Sequence, residues 1–326
     1  MRAPGARLTI GTRGSALALW QTERVRFLLR AVGFETERVE IKTTGDLTPD
    51  IPLARIGSRA LFTKQIDDAL LESRIDLAVH SLKDLPTQLP AGIVIAAVSV
   101  REDPRDALVG RSPVRWSDLP NGGVVATSSL RRRAQMLNSR PDLQVIDIRG
   151  NIDTRLAKLD AHPEWSGIVL ATAGLVRLGL SGRIGERLPP EIMLPAPGQG
   201  ALAVTVRADD AEVHRAVRRA VRDDVTSVEV AAERAFLRRL EGGCQVPVAA
   251  YAQLEGASSQ PILRLQGRVI SLGGDRVVEG IEAFPARDEA AAAALGTALA
   301  ERLLGEGAAT ILAEVREAAA PAVTEP

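Results

Sequence analysis

The sequence predicts an α/β protein of two consecutive lobes followed by a smaller α+β domain. Two observations carry this. Short β-branched runs alternate with amphipathic stretches up to about residue 220, and three strand-like runs then follow one another before a closing helix. A chain of 326 residues also exceeds the size at which one hydrophobic core keeps growing, so more than one domain is expected.

In the first lobe, strands are predicted at Leu8 to Thr12, Val39 to Thr43, Leu77 to Ser81 and Val94 to Val98, with helices at Ala16 to Arg30 and Thr63 to Arg74. Arg101 to Arg105 (REDPR), charged and carrying a proline, reads as a crossover. The second lobe has predicted strands at Val124 to Thr127, Gln144 to Ile148 and Gly167 to Ala171, with helices starting near Leu130, Thr154 and Thr172. Leu194 to Gly200 (LPAPGQG) reads as a second hinge, before a strand at Ala201 to Val206 and a helix at Glu212 to Ala220. Pattern alone does not assign these last two to a lobe. In the final domain, Thr226 and Glu229 match a capping box opening a helix to about Leu240. Strands at Val248 to Leu254, Ile262 to Ile270 and Val277 to Phe284 precede a helix at Asp288 to Leu304, and the tail from Ala318 is expected to fray.

Composition narrows the function. Lys plus Arg and Asp plus Glu balance at 41 each, so no net charge draws the molecule to nucleic acid or an anionic membrane, and any basic site is local. Three Trp, one Tyr and five Phe leave little for stacking on single-stranded nucleic acid. Met1 to Gly11 holds no secretory apolar stretch and no later segment is an uncharged span of membrane length, so a cytoplasmic protein is expected. One cysteine excludes an internal disulfide, and His80, His162 and His214 are too scattered for a Cys/His metal cage.

Five segments carry candidate chemistry. Cys244 lies in LEGGCQVP; a lone cysteine is usually a small buried hydrophobe, but this loop setting points to a reactive or modified thiol. VHSLKDLP puts Lys83 and Asp84 just beyond a strand end, where ligands bind in open α/β sheets, although charged turn residues are also common there. VATSSLRRRAQ runs from a strand through Thr127, Ser128 and Ser129 into a helix whose free NH groups attract anions. Successive helical residues turn by about 100°, so Arg131, Arg132 and Arg133 cannot all address one ligand. RGNIDTRLAKL repeats the arrangement with Arg149 and Arg155, and GTRGSALALWQ does so with Arg13 and Ser15. Three arginine-bearing strand-to-helix loops at the mouths of two lobes suggest a cleft for several carboxylates or phosphates, which the guanidinium fork pairs bidentately.

Taken in order, GTRGSALALWQ, LFTKQID, VHSLKDLP, REDPRDAL, VATSSLRRRAQ, RGNIDTRLAKLD, LATAGLVRLG, LPAPGQGAL and LEGGCQVP resemble the porphobilinogen deaminase (hydroxymethylbilane synthase) family from about Leu8 to Val315. The resemblance implies two lobes like those of periplasmic binding proteins, made of residues 1–101 with 198–220 and of residues 102–197, plus an α+β domain of residues 221–326. It implies stepwise head-to-tail condensation of four porphobilinogen molecules, with release of ammonia, to hydroxymethylbilane on a covalent dipyrromethane primer, in tetrapyrrole (haem-type) biosynthesis. Asp84 matches the catalytic aspartate and Cys244 the thioether attachment point. Arg13, Ser15, Lys83, Thr127, Ser129, Arg131, Arg132, Arg149 and Arg155 match cofactor- and substrate-binding positions, with Arg133 outside the set. Asp46 to Ala60 matches a mobile loop over the cleft. There Arg55 and Arg59 stand where lysine is frequent and Ser58 and Ala60 where glycine is common, which keeps the charge and bears on flexibility. A monomer with no metal, nucleic-acid or membrane partner is implied.

Two rival readings use the same features. A non-catalytic anion-binding protein would share the cleft and arginines but need neither Cys244 nor Asp84. A phosphate-binding transferase would want a Walker-type glycine loop, which the sequence lacks.

Overall fold

The structure, a computed structural model, describes residues 7–43, 63–240, 246–256 and 261–319. The first sheet holds β1 (Arg7–Thr12), β2 (Glu35–Glu40), β3 (Leu77–Ser81), β4 (Ile93–Val98) and the much later β10 (Leu202–Arg207). Its order is β2-β1-β3-β10-β4, with β1 parallel to β2 and β3, and β10 antiparallel to β3 and β4. Helix α1 (Ala16–Ala31) starts where the Ser15 hydroxyl accepts the Ala18 NH at 3.3 Å. Its Val25 and Leu29, one turn apart, are buried against Leu8, Ile10, Leu77 and Val79. Burying a side chain of that size contributes roughly 1.5–3 kcal/mol, so this stripe fixes the helix against the sheet. Helix α2 (Lys64–Leu71) packs across the sheet with Ile66, Ala69 and Leu70, which are buried with Ala78 of β3 and Ile93 of β4.

The second sheet repeats the plan. β5 (Asp106–Val109), β6 (Val124–Ala126), β7 (Gln144–Ile146), β8 (Trp165–Ala171) and β9 (Glu186–Arg187) run in the order β7-β6-β8-β5-β9, again parallel on one side with an antiparallel strand, β5, beside β8. Helices α3 (Leu130–Ser139), α4 (Ile152–Ala161) and α5 (Thr172–Arg177) follow β6, β7 and β8. The two crossovers between the sheets lie side by side, the Glu102 NH donating to the Gly200 carbonyl at 3.1 Å. Gly200 has φ +95°, and a Cβ there would strike the Glu102 carbonyl, so only glycine permits this approach.

After α6 (Ala211–Val221), α7 (Asp224–Arg239) leads into a three-stranded antiparallel sheet of β11 (Val248–Glu255), β12 (Ile262–Ile270) and β13 (Val277–Pro285), closed by α8 (Glu289–Leu303) and α9 (Ala309–Ala319). Phe236 of α7 is buried in its core with Leu265 and Leu299. Among the described residues no helix is long and apolar enough to cross a membrane.

Four expectations need correction. The second strand lies at residues 35–40 rather than 39–43, because β2 is a largely exposed edge strand that an apolar run does not mark. The cap of α7 is Asp223, whose carboxylate accepts the Thr226 NH at 2.7 Å, while Glu229 accepts the Leu254 NH and ties the helix to β11. β5 is an unexpected four-residue strand opened by a charged residue, and α9 extends the closing helix beyond a kink at Gly307, which has φ +113°.

Candidate active site

The parallel strands of both sheets deliver their carboxyl ends to loops bearing the polar residues. β1 leads to Arg13 and Ser15, β3 to Lys83 and Asp84 in one helical turn at Leu82–Asp84, β6 to Thr127 and Ser129, and β7 to Arg149. Ser129 caps α3 by accepting the Arg132 NH at 3.4 Å, and the Thr127 hydroxyl accepts the Ser129 NH at 3.3 Å, so both hydroxyls shape the loop. Arg155, in the first turn of α4, donates to the Gly150 carbonyl at 2.7 Å.

The two mouths face each other. Lys83 of the first sheet donates to the side-chain oxygen of Gln199 at 3.0 Å, and the Gln199 amide donates onward to Asp106 of the second sheet at 3.0 Å. Asp106, fully buried, also receives Arg131 at 2.7 Å and Arg132 at 2.8 and 3.0 Å. Burial alone would push its carboxyl up, but the two guanidiniums override that and hold it well below the usual carboxylate range. Arg131 and Arg132 are thus anchored to the protein itself, with Arg131 also reaching the Leu194 carbonyl and Arg132 that of Val169, both at distances under 3 Å (2.7 and 2.9 Å). Arg133 points away and donates to Val145.

Positive charge accumulates beyond what Asp106 balances. Burial pushes the Lys83 ammonium down to about 8, with Arg132 and Arg131 adding to the shift and Asp84 and Asp106 opposing it. Arg155 falls to about 10, from burial and then from Arg132 and Arg149, again opposed by Asp84. The exposed Asp84 carboxylate therefore acts on Lys83, Arg132 and Arg155, cations from both lobes. Beside it, Arg13, Ser15, Gln21, Thr63 and His80 line a concavity. His80 bonds Thr205 at 3.2 Å and is kept neutral, burial and then Arg13 lowering it to about 4.

Residues 8–215 match the family described as porphobilinogen deaminase, dipyromethane cofactor binding domain, and residues 227–305 match porphobilinogen deaminase, C-terminal domain. The chain belongs to the porphobilinogen deaminase family. The family's activity is that of a transferase, hydroxymethylbilane synthase, which condenses porphobilinogen stepwise in tetrapyrrole biosynthesis. A porphobilinogen deaminase of Rubrobacter xylanophilus is 51% identical over 95% of this chain and 98% of its own. One from Desulforudis audaxviator is 51% identical over 96% and 99%. Among solved structures, the methionine binding protein MetQ is 13% identical over 66% of this chain and 89% of its own, with a TM-score of 0.42.

The residues fit the dipyrromethane cofactor of porphobilinogen deaminases. A cofactor of two pyrroles, each with an acetate and a propionate, brings the carboxylates that a cluster of mutually depressed cations lacks. Cys244, Arg55 and Arg59 lie outside the described residues.

The sequence motifs assign no site role to Asp106, Gln199, Arg101 or Glu233. Arg101 pairs bidentately with the fully buried Glu233 at 2.7 and 3.1 Å and donates to the Gln199 carbonyl at 2.9 Å. Glu233 also accepts the NH groups of Gly198 and Ala252. Both crossovers are thereby tied to the C-terminal domain. Asp106 had one legible signal, a charged residue opening the apolar run DALV, and Gln199 had another in its place between two hinge glycines.

Proposed function

We propose that Asp84 is the catalytic carboxylate of this condensation and that Arg13, Ser15, Lys83, Thr127, Ser129, Arg131, Arg132, Arg149 and Arg155 hold the carboxylates of cofactor, substrate and growing chain. The single observation that carries the reading is one exposed carboxylate set among cations of both lobes. Cys244 bears the dipyrromethane through a thioether, and Arg55 and Arg59 belong to the loop over the cleft; both assignments rest on the family resemblance. Residues 1–101 with 198–220, 102–197 and 221–326 form the three domains, a division that the pairing of β10 with β3 and β4 supports. The enzyme works as a cytoplasmic monomer without nucleic acid, a reading supported by the balance of 41 basic and 41 acidic residues.

The bound dipyrromethane supplies a primer whose terminal pyrrole offers a free α-carbon as nucleophile. Asp84 faces the charge problem: loss of ammonia from the substrate's aminomethyl carbon leaves a cationic azafulvene, its charge shared with the ring NH. At an effective dielectric constant of about 20, a carboxylate about 4 Å away stabilises that charge by about 4 kcal/mol, roughly a thousandfold in rate. Lys83, with its proton held up to about pH 8, still presents a charged donor to a carboxylate near neutrality. Arg131 and Arg132, fixed by Asp106, are preorganised rather than ordered at the moment of binding. Incubating the purified protein with porphobilinogen should release one ammonia per molecule consumed and yield hydroxymethylbilane; a protein that binds porphobilinogen without releasing ammonia would favour the non-catalytic anion binder.

A further inference from the structure

Three carboxyl side chains of the described residues are buried: Asp106, Glu233 and Asp67. Asp106 holds Arg131 and Arg132, and Glu233 holds Arg101. Asp67 pairs with no cation among the described residues, and its Oδ1 has no hydrogen-bond partner. An unpaired buried carboxylate is costly, so its retention wants a reason. One turn earlier, the Thr63 hydroxyl is buried too and acts on the same carboxylate as a hydrogen-bond donor. The two residues are only 3% and 4% exposed. At i and i+4 they share a face of α2, and helical side chains lean towards the N-terminus, so the Asp67 carboxyl lies over Thr63. Thr63 lines the concavity that holds Arg13, Ser15, His80 and Asp84.

A carboxylate oxygen left unsatisfied beside a buried hydroxyl selects a small cation with N–H donors. Beside Arg13 and Asp84, which share that concavity, the pair repels carboxylates. The only cationic group on porphobilinogen is its aminomethyl ammonium, which carries three donors like a lysine head. We propose that Thr63 and Asp67 receive this ammonium of the incoming porphobilinogen. The arginines then read one end of the substrate and this pair the other, a division that rests on the activity proposed above. Burial raises Asp67 to about 6, against the pull of the adjacent Thr63 hydroxyl, so the group is mostly ionised at neutral pH and gains by meeting a cation.

The test uses the full cofactor-loaded chain, with intact mass verifying the load in every variant. The concentration of porphobilinogen at half saturation is compared with the inhibition constant of an analogue that keeps the acetate and propionate but carries methyl in place of aminomethyl. Asp67→Asn should raise the first by about tenfold or more, the loss expected of a charged hydrogen bond, and leave the second unchanged. Thr63→Val should act in the same direction and Thr63→Ser should restore the parent values. If both constants move together, or neither moves, the pair has a structural role such as holding a buried water, and the proposal is overturned. Parent protein that does not consume porphobilinogen would overturn the activity and this inference together, an outcome visible without any variant.

Discussion

Replacing Asp106 with Asn should cost more stability than any other single charge removal in the second lobe. The carboxylate accepts four hydrogen bonds, from Arg131 at 2.7 Å, Arg132 at 2.8 and 3.0 Å, and Gln199 at 3.0 Å. Arg131 and Arg132 are each 6% exposed, so water cannot replace the lost charge. Breaking a buried pair by removing one partner costs about 3–5 kcal/mol, a large part of the roughly 5–15 kcal/mol that holds a domain folded. In urea unfolding followed by circular dichroism, Asp106→Asn should lower the midpoint with little change in slope. Asp142→Asn, which removes an exposed partner of Arg140, should leave the midpoint nearly unmoved. The pH dependence has a fixed sign. The folded Asp106 carboxyl titrates well below its unfolded value of about 3.9, so its contribution is whole above that pH and is lost as pH falls through the folded value. The gap between parent and variant should therefore be constant from about pH 5 to 8 and narrow only below about 4. A midpoint within experimental scatter of the parent at neutral pH would refute the anchoring argument.

Further outcomes follow from the same geometry. Lys83 loses its proton near about 8, so KM for porphobilinogen should rise above that pH in the parent, whereas Lys83→Met should show a higher and flatter KM. For folding the pH slope has the same sign as that of Asp106, because both groups are depressed on folding. An ammonium depressed on folding opposes the folded state while charged, so Lys83 adds stability as pH climbs from about 8 towards 10.5. Charge reversal by Arg149→Glu should stall elongation, seen by mass spectrometry as enzyme carrying short chains, and a normal product yield would remove Arg149 from the binding set. Cys244→Ser should leave a chain of bare translated mass, because a serine hydroxyl cannot form the thioether; a stable adduct in that variant would move the attachment elsewhere.

Most strands and helices were legible because their periodicity is strong. The stripe Val25 and Leu29 and the run Ile262–Ile270 needed no tertiary information. What escaped depends on context. β2 is too exposed to be apolar, and Thr226 matched a cap through its spacing to Glu229, whereas Asp223, three residues earlier, is the cap and accepts the Thr226 NH. In the site, loops bearing Arg13, Lys83, Asp84 and Arg149 announced themselves by composition. The partner shared by Arg131 and Arg132 did not, since Asp106 lies 25 and 26 positions away on β5 whereas the arginines stand on α3. Gln199 is further still, 116 residues from Lys83, and its bridging role exists only once the two mouths face each other. Thr63 and Asp67 fall in a stretch that the pattern marks only as helical, and it takes the fold to show them buried, with no cation paired to Asp67 among the described residues.

The most direct test is turnover of Asp84→Asn in protein whose intact mass verifies that the dipyrromethane is in place. Removing the charge while keeping the shape should reduce hydroxymethylbilane formation by about a thousandfold, with the cofactor retained. Turnover near that of the parent would contradict the account, because the cation left by departing ammonia would then be stabilised by some other group.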